Sequence, residues 1–181
     1  LFPFGKFTFR EGSSLAQWTQ ELNVENGFFE SECLYESGAT IRSKGFIHPS
    51  HNIYALQKTF ENISGTREFA YEVTLCGYNE SISRYMQVLY TKKHENICCI
   101  GFKMYGMDVF TGEIHFFVDK DFSVNLTDTG AQISFSASAG ETVTFYYYLE
   151  DDMEKADFRE VLHQYKQTID ALGFEGLLKE C

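Results

Sequence analysis

Proline is nearly missing from these 181 residues, with two copies, and tryptophan occurs once. Proline has no N–H to donate to a strand ladder, so its scarcity leaves room for long β-strands. Basic side chains are also few: 15 Lys and Arg stand against 26 Asp and Glu, a formal net charge of −11. That balance argues against nucleic acid, whose phosphates demand a basic face, and against docking on anionic membranes. It fits a soluble, monodisperse protein or one whose ligand is a cation. No run approaches the ~20 apolar residues that span a bilayer as a helix, so no membrane span is expected. The start, LFPFGKFTF, lacks a charged leader region and a long apolar block. It reads as a mature N-terminus after signal removal.

Aromatic residues make up 17% of the chain, which suits a β-rich body with bulky cross-strand pairs. The length is that of one domain, 1–181, able to bury a core without staples. Three sequons, at Asn62, Asn79 and Asn125, point to a secreted glycoprotein. The cysteines are Cys33, Cys76, Cys98, Cys99 and Cys181, an odd count that leaves at least one thiol outside any intramolecular bridge. Two bridges and one free thiol are expected, and sequence does not choose the pairs. Cys181, the last residue, makes sense if it ties the tail back to the body, with Cys33 as first choice of partner.

Along the chain, Ser13 and Ser14 precede Leu15, Trp18 and Leu22 at helical spacing, which predicts a short helix ending at Asn26-Gly27. Alternation then predicts a strand in which Phe29, Ser31, Cys33 and Tyr35 share one face. Further extended stretches are predicted at 39–47, 53–60, 67–76, 83–90, 97–105, 113–119, 132–136 and 142–149. The run Lys92-Lys93-His94-Glu95-Asn96 is predicted as a hairpin tip. Asp151-Asp152 can cap a final helix whose stripe is Phe158, Val161, Leu162, Tyr165, Ile169 and Leu172, closed by Gly173. About eight antiparallel strands with no βαβ alternation predict an up-and-down barrel. An immunoglobulin-like sandwich is the alternative, which the long C-terminal helix fits poorly.

The helix with its single Trp18, then Val24-Glu25-Asn26, Phe28-Phe29 and a strand ending in Tyr35, resembles the start of tick salivary lipocalins, in particular the histamine-binding proteins. The resemblance implies an eight-stranded antiparallel lipocalin (calycin) barrel, with a short N-terminal helix and a long C-terminal helix packed on its wall. It implies a secreted salivary protein with a small-ligand pocket. Laid on that family, Tyr35 matches a pocket tyrosine, Glu72 and Glu113 match pocket glutamates, and Tyr85 falls at an aromatic. Gly38 and Gln87 fall where the family carries aspartates. Phe29 joins Tyr35, Glu72, Tyr85, Gln87 and Glu113 as a candidate ligand contact. Fewer carboxylates make a greasier pocket, so a sterol, fatty acid or eicosanoid is favoured over histamine or another biogenic amine. Strand alternation adds a conflict, because it turns Glu72 away from Phe69, Tyr71, Val73 and Leu75. The family ties its terminal cysteine to the second strand and a later strand to the C-terminal helix. Here the Cys33 position is shifted and the helix carries no cysteine.

Catalytic signals are weak. Asp128-Thr129-Gly130 resembles the active-site turn of retroviral-type aspartic proteases, but the second carboxylate that chemistry needs has no matching motif. His48-Pro49-Ser50-His51 reads as a solvated loop rather than a metal site, and Cys98-Cys99 as two faces of one strand. His115 reads as a core histidine. A phosphate-cradling glycine loop and a serine nucleophile elbow are both missing. The sequence therefore predicts a binding protein without catalytic activity, cofactor or metal. It would either capture a small hydrophobic ligand and modulate host immune or inflammatory responses, or bind a host immune protein or cell through its surface. Tick lipocalins include complement inhibitors and the japanin-like immunomodulators.

Overall fold

The computed structural model describes residues 6–75, 84–106, 108–153 and 157–181. The described chain forms twelve strands: β1 (Lys6–Arg10), β2 (Leu15–Asn23), β3 (Phe28–Tyr35), β4 (Thr40–Ile47), β5 (Ile53–Glu61), β6 (Thr66–Thr74), β7 (Met86–His94), β8 (Ile97–Tyr105), β9 (Val109–Val118), β10 (Ser123–Thr127), β11 (Gly130–Ser138) and β12 (Thr142–Asp151). One helix, α1 (Phe158–Lys179), follows.

The strands build two antiparallel sheets. One has four strands, ordered β1-β6-β11-β10; the other has eight, ordered β2-β3-β4-β5-β12-β9-β8-β7. Among the described residues β2 and β7, the outer strands of the larger sheet, do not pair with each other. The expected eight-stranded lipocalin barrel is therefore corrected to two stacked sheets. Alternation reports which residues of a strand face the core, and it is the same in a barrel and a sandwich. Closure depends on strand tilt and stagger, which a local period does not encode.

Between the sheets, Phe69, Tyr71, Val73 and Leu75 and the β11 residues Ile133 and Phe135 pack against Phe60, Ile100, Phe102, Ile114, Phe116 and Phe145. Phe60 and Phe69 lie 4.4 Å apart by ring centroid, and Phe135 lies about 6 Å from both. Side chains thus occupy the space where the barrel reading expected a lumen and a small apolar guest.

The expected N-terminal helix is strand β2. A bulge between Leu15 and Gln17 inserts one residue, so that Leu15 opposes Tyr35 and Trp18 opposes Cys33 on one face. Leu15 and Trp18 are then three apart, and Trp18 and Leu22 four apart, the spacing of a helical stripe. The bulge made a strand look helical.

Helix α1 covers the outer face of the large sheet, burying Phe158, Leu162, Tyr165, Ile169, Phe174 and Leu177 against Phe46, Ile53, Ala55, Phe117, Tyr146 and Tyr148. Gly173 does not end it. With φ 60° and ψ −169°, Gly173 kinks the helix and resets its phase. Leu172 stays 38% exposed, and Phe174 and Leu177 take over the contact. The cap is Asp157, whose carboxylate accepts from the Glu160 amide at 3.4 Å. Asp151 instead ends β12, and Asp152 accepts from the Thr111 amide and hydroxyl at 2.8 and 2.7 Å.

Candidate functional site

Along β9, Gly112, Ile114 and Phe116 point toward the four-stranded sheet, which leaves Glu113, His115 and Phe117 on the face beneath α1. Glu113 is 3% exposed. Its carboxylate accepts from the Tyr90 hydroxyl at 2.5 Å, from Arg159 Nε at 2.7 Å, and meets His115 Nε2 at 2.8 Å. Burial alone would raise this carboxyl. The hydrogen bonds from His115, Tyr90 and Arg159 outweigh it and hold the group at about 2. Burial and the bond to Glu113 push Tyr90 up to about 12.

Tyr90 reaches this face only through an irregularity. Val88 opposes Phe102 on the core side, and a shift between Val88 and Tyr90 makes Tyr90 oppose Gly101 instead of Ile100. The bulge turns the phenol over to the α1 side. Gly101 is what lets the ring lie flat there, since a Cβ would meet the Tyr90 ring at 2.4 Å. Gly101→Ala is expected to dislodge Tyr90 from Glu113 and cost roughly 1.5–3 kcal/mol, the value of a hydrogen bond to a charged group. Urea unfolding at neutral pH reads the loss; an unchanged midpoint would show that Tyr90 contributes nothing through this bond.

Beside Glu113 a cavity of about 220 Å³ opens between the sheet and α1. Lys92 and His94 of β7, Cys99 of β8, Tyr148 of β12 and Arg159, His163 and Lys166 of α1 line it. A second buried carboxylate, Glu150, accepts from the Tyr165 hydroxyl and from Asn52 Nδ2 at 3.1 Å. On the opposite face Lys58 Nζ donates to Ser43 Oγ at 2.9 Å, and burial pushes it down to about 8.

The six residues expected to share a ligand lie apart. Tyr35 and Phe29 are half-buried on the core-side face of β3. Glu72 faces away from the core of the small sheet and pairs with Arg10 at 3.0 Å, as alternation requires. Tyr85 and Gln87 are exposed, Gln87 accepting from Tyr105 at 2.7 Å. Glu113 alone sits beside the α1 cavity. Asn62 and Asn125 are exposed, as glycosylation needs, and Asn79 and Cys76 lie outside the described residues. Cys33, Cys98, Cys99 and Cys181 are free thiols. The expected Cys33–Cys181 bridge is not formed. Cys33 sits opposite Ile41 in β3, whereas Cys181 lies next to Gly27 in the β2–β3 turn. His48 is buried rather than solvated; its ring stacks on His51 at 4.7 Å and Nε2 meets Glu180 at 3.1 Å. Asp128-Thr129 is the turn of the β10–β11 hairpin.

Sequence reading missed Tyr90, Arg159 and Glu150. Alternation assigns Tyr90 to the wrong face, and no local signal joins Arg159 to a carboxylate 46 residues away.

No protein-family model and no curated protein matches the sequence. Among 34 solved chains that match is one titled "Putative kojibiose phosphorylase from human microbiome", with a TM-score of 0.75 and 14% identity. The match covers 97% of this chain and 26% of that one, so this chain spans about a quarter of the length of the protein it resembles. The likeness is one of fold. A chain expected to stand apart from enzymes shares its sandwich architecture with part of one.

Proposed function

We propose that this chain is a β-sandwich body that docks against the remainder of a larger carbohydrate-processing enzyme and breaks no bond itself. The observation that carries this reading is an apolar ledge on the core-side face of the large sheet, where eight strands overhang four. Leu22 opposes Phe29, Phe29 opposes Gly45, Ile47 opposes Tyr54, and Tyr54 opposes Tyr147. These residues form two adjacent rows on the same face: Leu22, Phe29 and Gly45 across β2, β3 and β4, and Ile47, Tyr54 and Tyr147 across β4, β5 and β12. Leu22 is 65% and Ile47 71% exposed, and Trp18 and Leu15 continue the surface along β2. A groove of about 350 Å³ between Ile47, Tyr54, Tyr147 and Leu149 indents it. Clustered, exposed apolar side chains on a sheet face are the signature of a surface that another body covers. The likeness to one quarter of a phosphorylase supports a partner within the same polypeptide.

Kojibiose with inorganic phosphate is the test reaction, run with this chain alone and with the complete product of its gene. Sugar phosphate is expected only from the complete product. Phosphorolysis by this chain alone, or a gene that encodes nothing further, would sink the reading. Leu22→Asp with Ile47→Asp is expected to shift the isolated chain by no more than about 0.5 kcal/mol per site, as surface changes do. In the complete product the same pair is expected to lower the thermal midpoint and the activity together.

A further inference from the structure

We propose that the cavity between α1 and the outer face of the large sheet binds a small phosphate-bearing anion. It lies on the other side of that sheet from the docking ledge and does not depend on it. In a chain of net charge −11, its lining gathers Lys92, Arg159 and Lys166 against one carboxylate, Glu113, which Arg159 and His115 already engage. Three of the five histidines, His94, His115 and His163, stand there too.

Of the three cations, Lys92 is without an ion pair among the described residues and Arg159 is engaged only in part, while Lys166 is held by Asp170. Lys92 is exposed, rests over the Tyr90 ring at 4.7 Å, and makes no ion pair among the described residues. Arg159 engages Glu113 through Nε and is 66% exposed along its side chain, which leaves guanidinium N–H groups for a second anion. Lys166 pairs with Asp170 at 2.5 Å. The independent observation is Tyr148. It is 0% exposed and lines the cavity, and its hydroxyl is the buried side-chain polar atom without a partner among the described residues. A buried donor left unmade is costly, and an oxyanion oxygen in the cavity would accept from it. A volume near 220 Å³ admits one small molecule and no polymer. Several cations converging with a hydroxyl suit a dianion, for which charge-assisted hydrogen bonds are the strong ones.

Calorimetric titration of the full chain, with inorganic phosphate and separately with glucose 1-phosphate against sodium chloride of equal ionic strength, tests this. Saturable binding is expected from at least one of the two. Tighter binding of glucose 1-phosphate identifies a phosphate monoester as the occupant; tighter binding of inorganic phosphate identifies the free ion. Lys92→Ala is expected to weaken the binding roughly tenfold and Tyr148→Phe roughly fivefold, as loss of a charge-assisted bond and of a hydroxyl donor would. In phosphate-free buffer Lys92→Ala should leave the unfolding midpoint in place and Tyr148→Phe should hold or raise it, so that a binding loss is not a folding loss. Heats indistinguishable from sodium chloride, or affinities unchanged in both variants, would overturn the proposal.

Discussion

Glu113→Gln is expected to lower the unfolding free energy by about 3 kcal/mol, the cost of breaking a buried ion pair by removing one partner. The amide keeps one acceptor for Tyr90 or Arg159 but removes the charge that His115, Tyr90 and Arg159 converge on. For a chain of this length that loss corresponds to roughly 6–12 °C in thermal midpoint. The variant also changes the response to acid. In the folded chain Glu113 titrates at about 2 against an ordinary value of 4.5, because the three hydrogen bonds outweigh burial. The folded chain therefore binds fewer protons than the unfolded one between these values, and acid favours unfolding. The stabilisation from Glu113 is complete above about pH 4.5 and is lost as the pH falls to about 2. Wild type and Glu113→Gln should differ most at neutral pH and converge near pH 2. Urea titrations at pH 7, 4 and 2.5 measure this directly; curves that stay parallel would mean that Glu113 is not held by charge.

A second large effect is expected at Phe60. It is fully buried in β5, and its ring meets Phe9 at 6.1 Å, Phe69 at 4.4 Å and Phe135 at 6.0 Å. One β5 side chain of the large sheet thus touches β1, β6 and β11, three of the four strands in the small sheet. Phe60→Ala should cost about 3–5 kcal/mol, the transfer term plus the cavity left in a packed interior. The dependence on urea should keep its slope, since the surface exposed on unfolding is the same. Because Phe60 and Phe135 contact each other across the two sheets, Phe60→Ala with Phe135→Ala should cost less than the sum of the two. A coupling of about 0.5–3 kcal/mol is the expected range for touching residues. Strict additivity would place them in separate cores and contradict the stacking of the sheets.

Much of the strand map was readable. The extended stretches at 28–35, 53–60 and 97–105 agree with β3, β5 and β8 within a residue, because alternating apolar and polar residues mark a half-buried strand. The outward turn of Glu72 also followed from that rule. Two five-residue strands, β1 and β10, were too short to register, and β2 was hidden by its bulge. Glu113 was singled out in the sequence for a barrel pocket; the fold gives it a place under a helix instead.

What the sequence determined by itself is local: which side chains share a face in the strands that carry no bulge, that the chain turns within the run 92–96, and that Phe158, Leu162, Tyr165 and Ile169 bury one stripe. Within that run Glu95-Asn96 form the tip and 92–94 belong to β7. What only the tertiary structure decided is how those faces are spent. Whether β2 meets β7, how far eight strands overhang four, and which face Tyr90 takes at its bulge all depend on pairings between distant segments. The pleat repeats every two residues whatever partner a strand finds, so the choice of partner leaves no trace in the period. Arg159 reaches Glu113 because α1 packs on β9 and β12, a contact that exists only once the sheets are assembled.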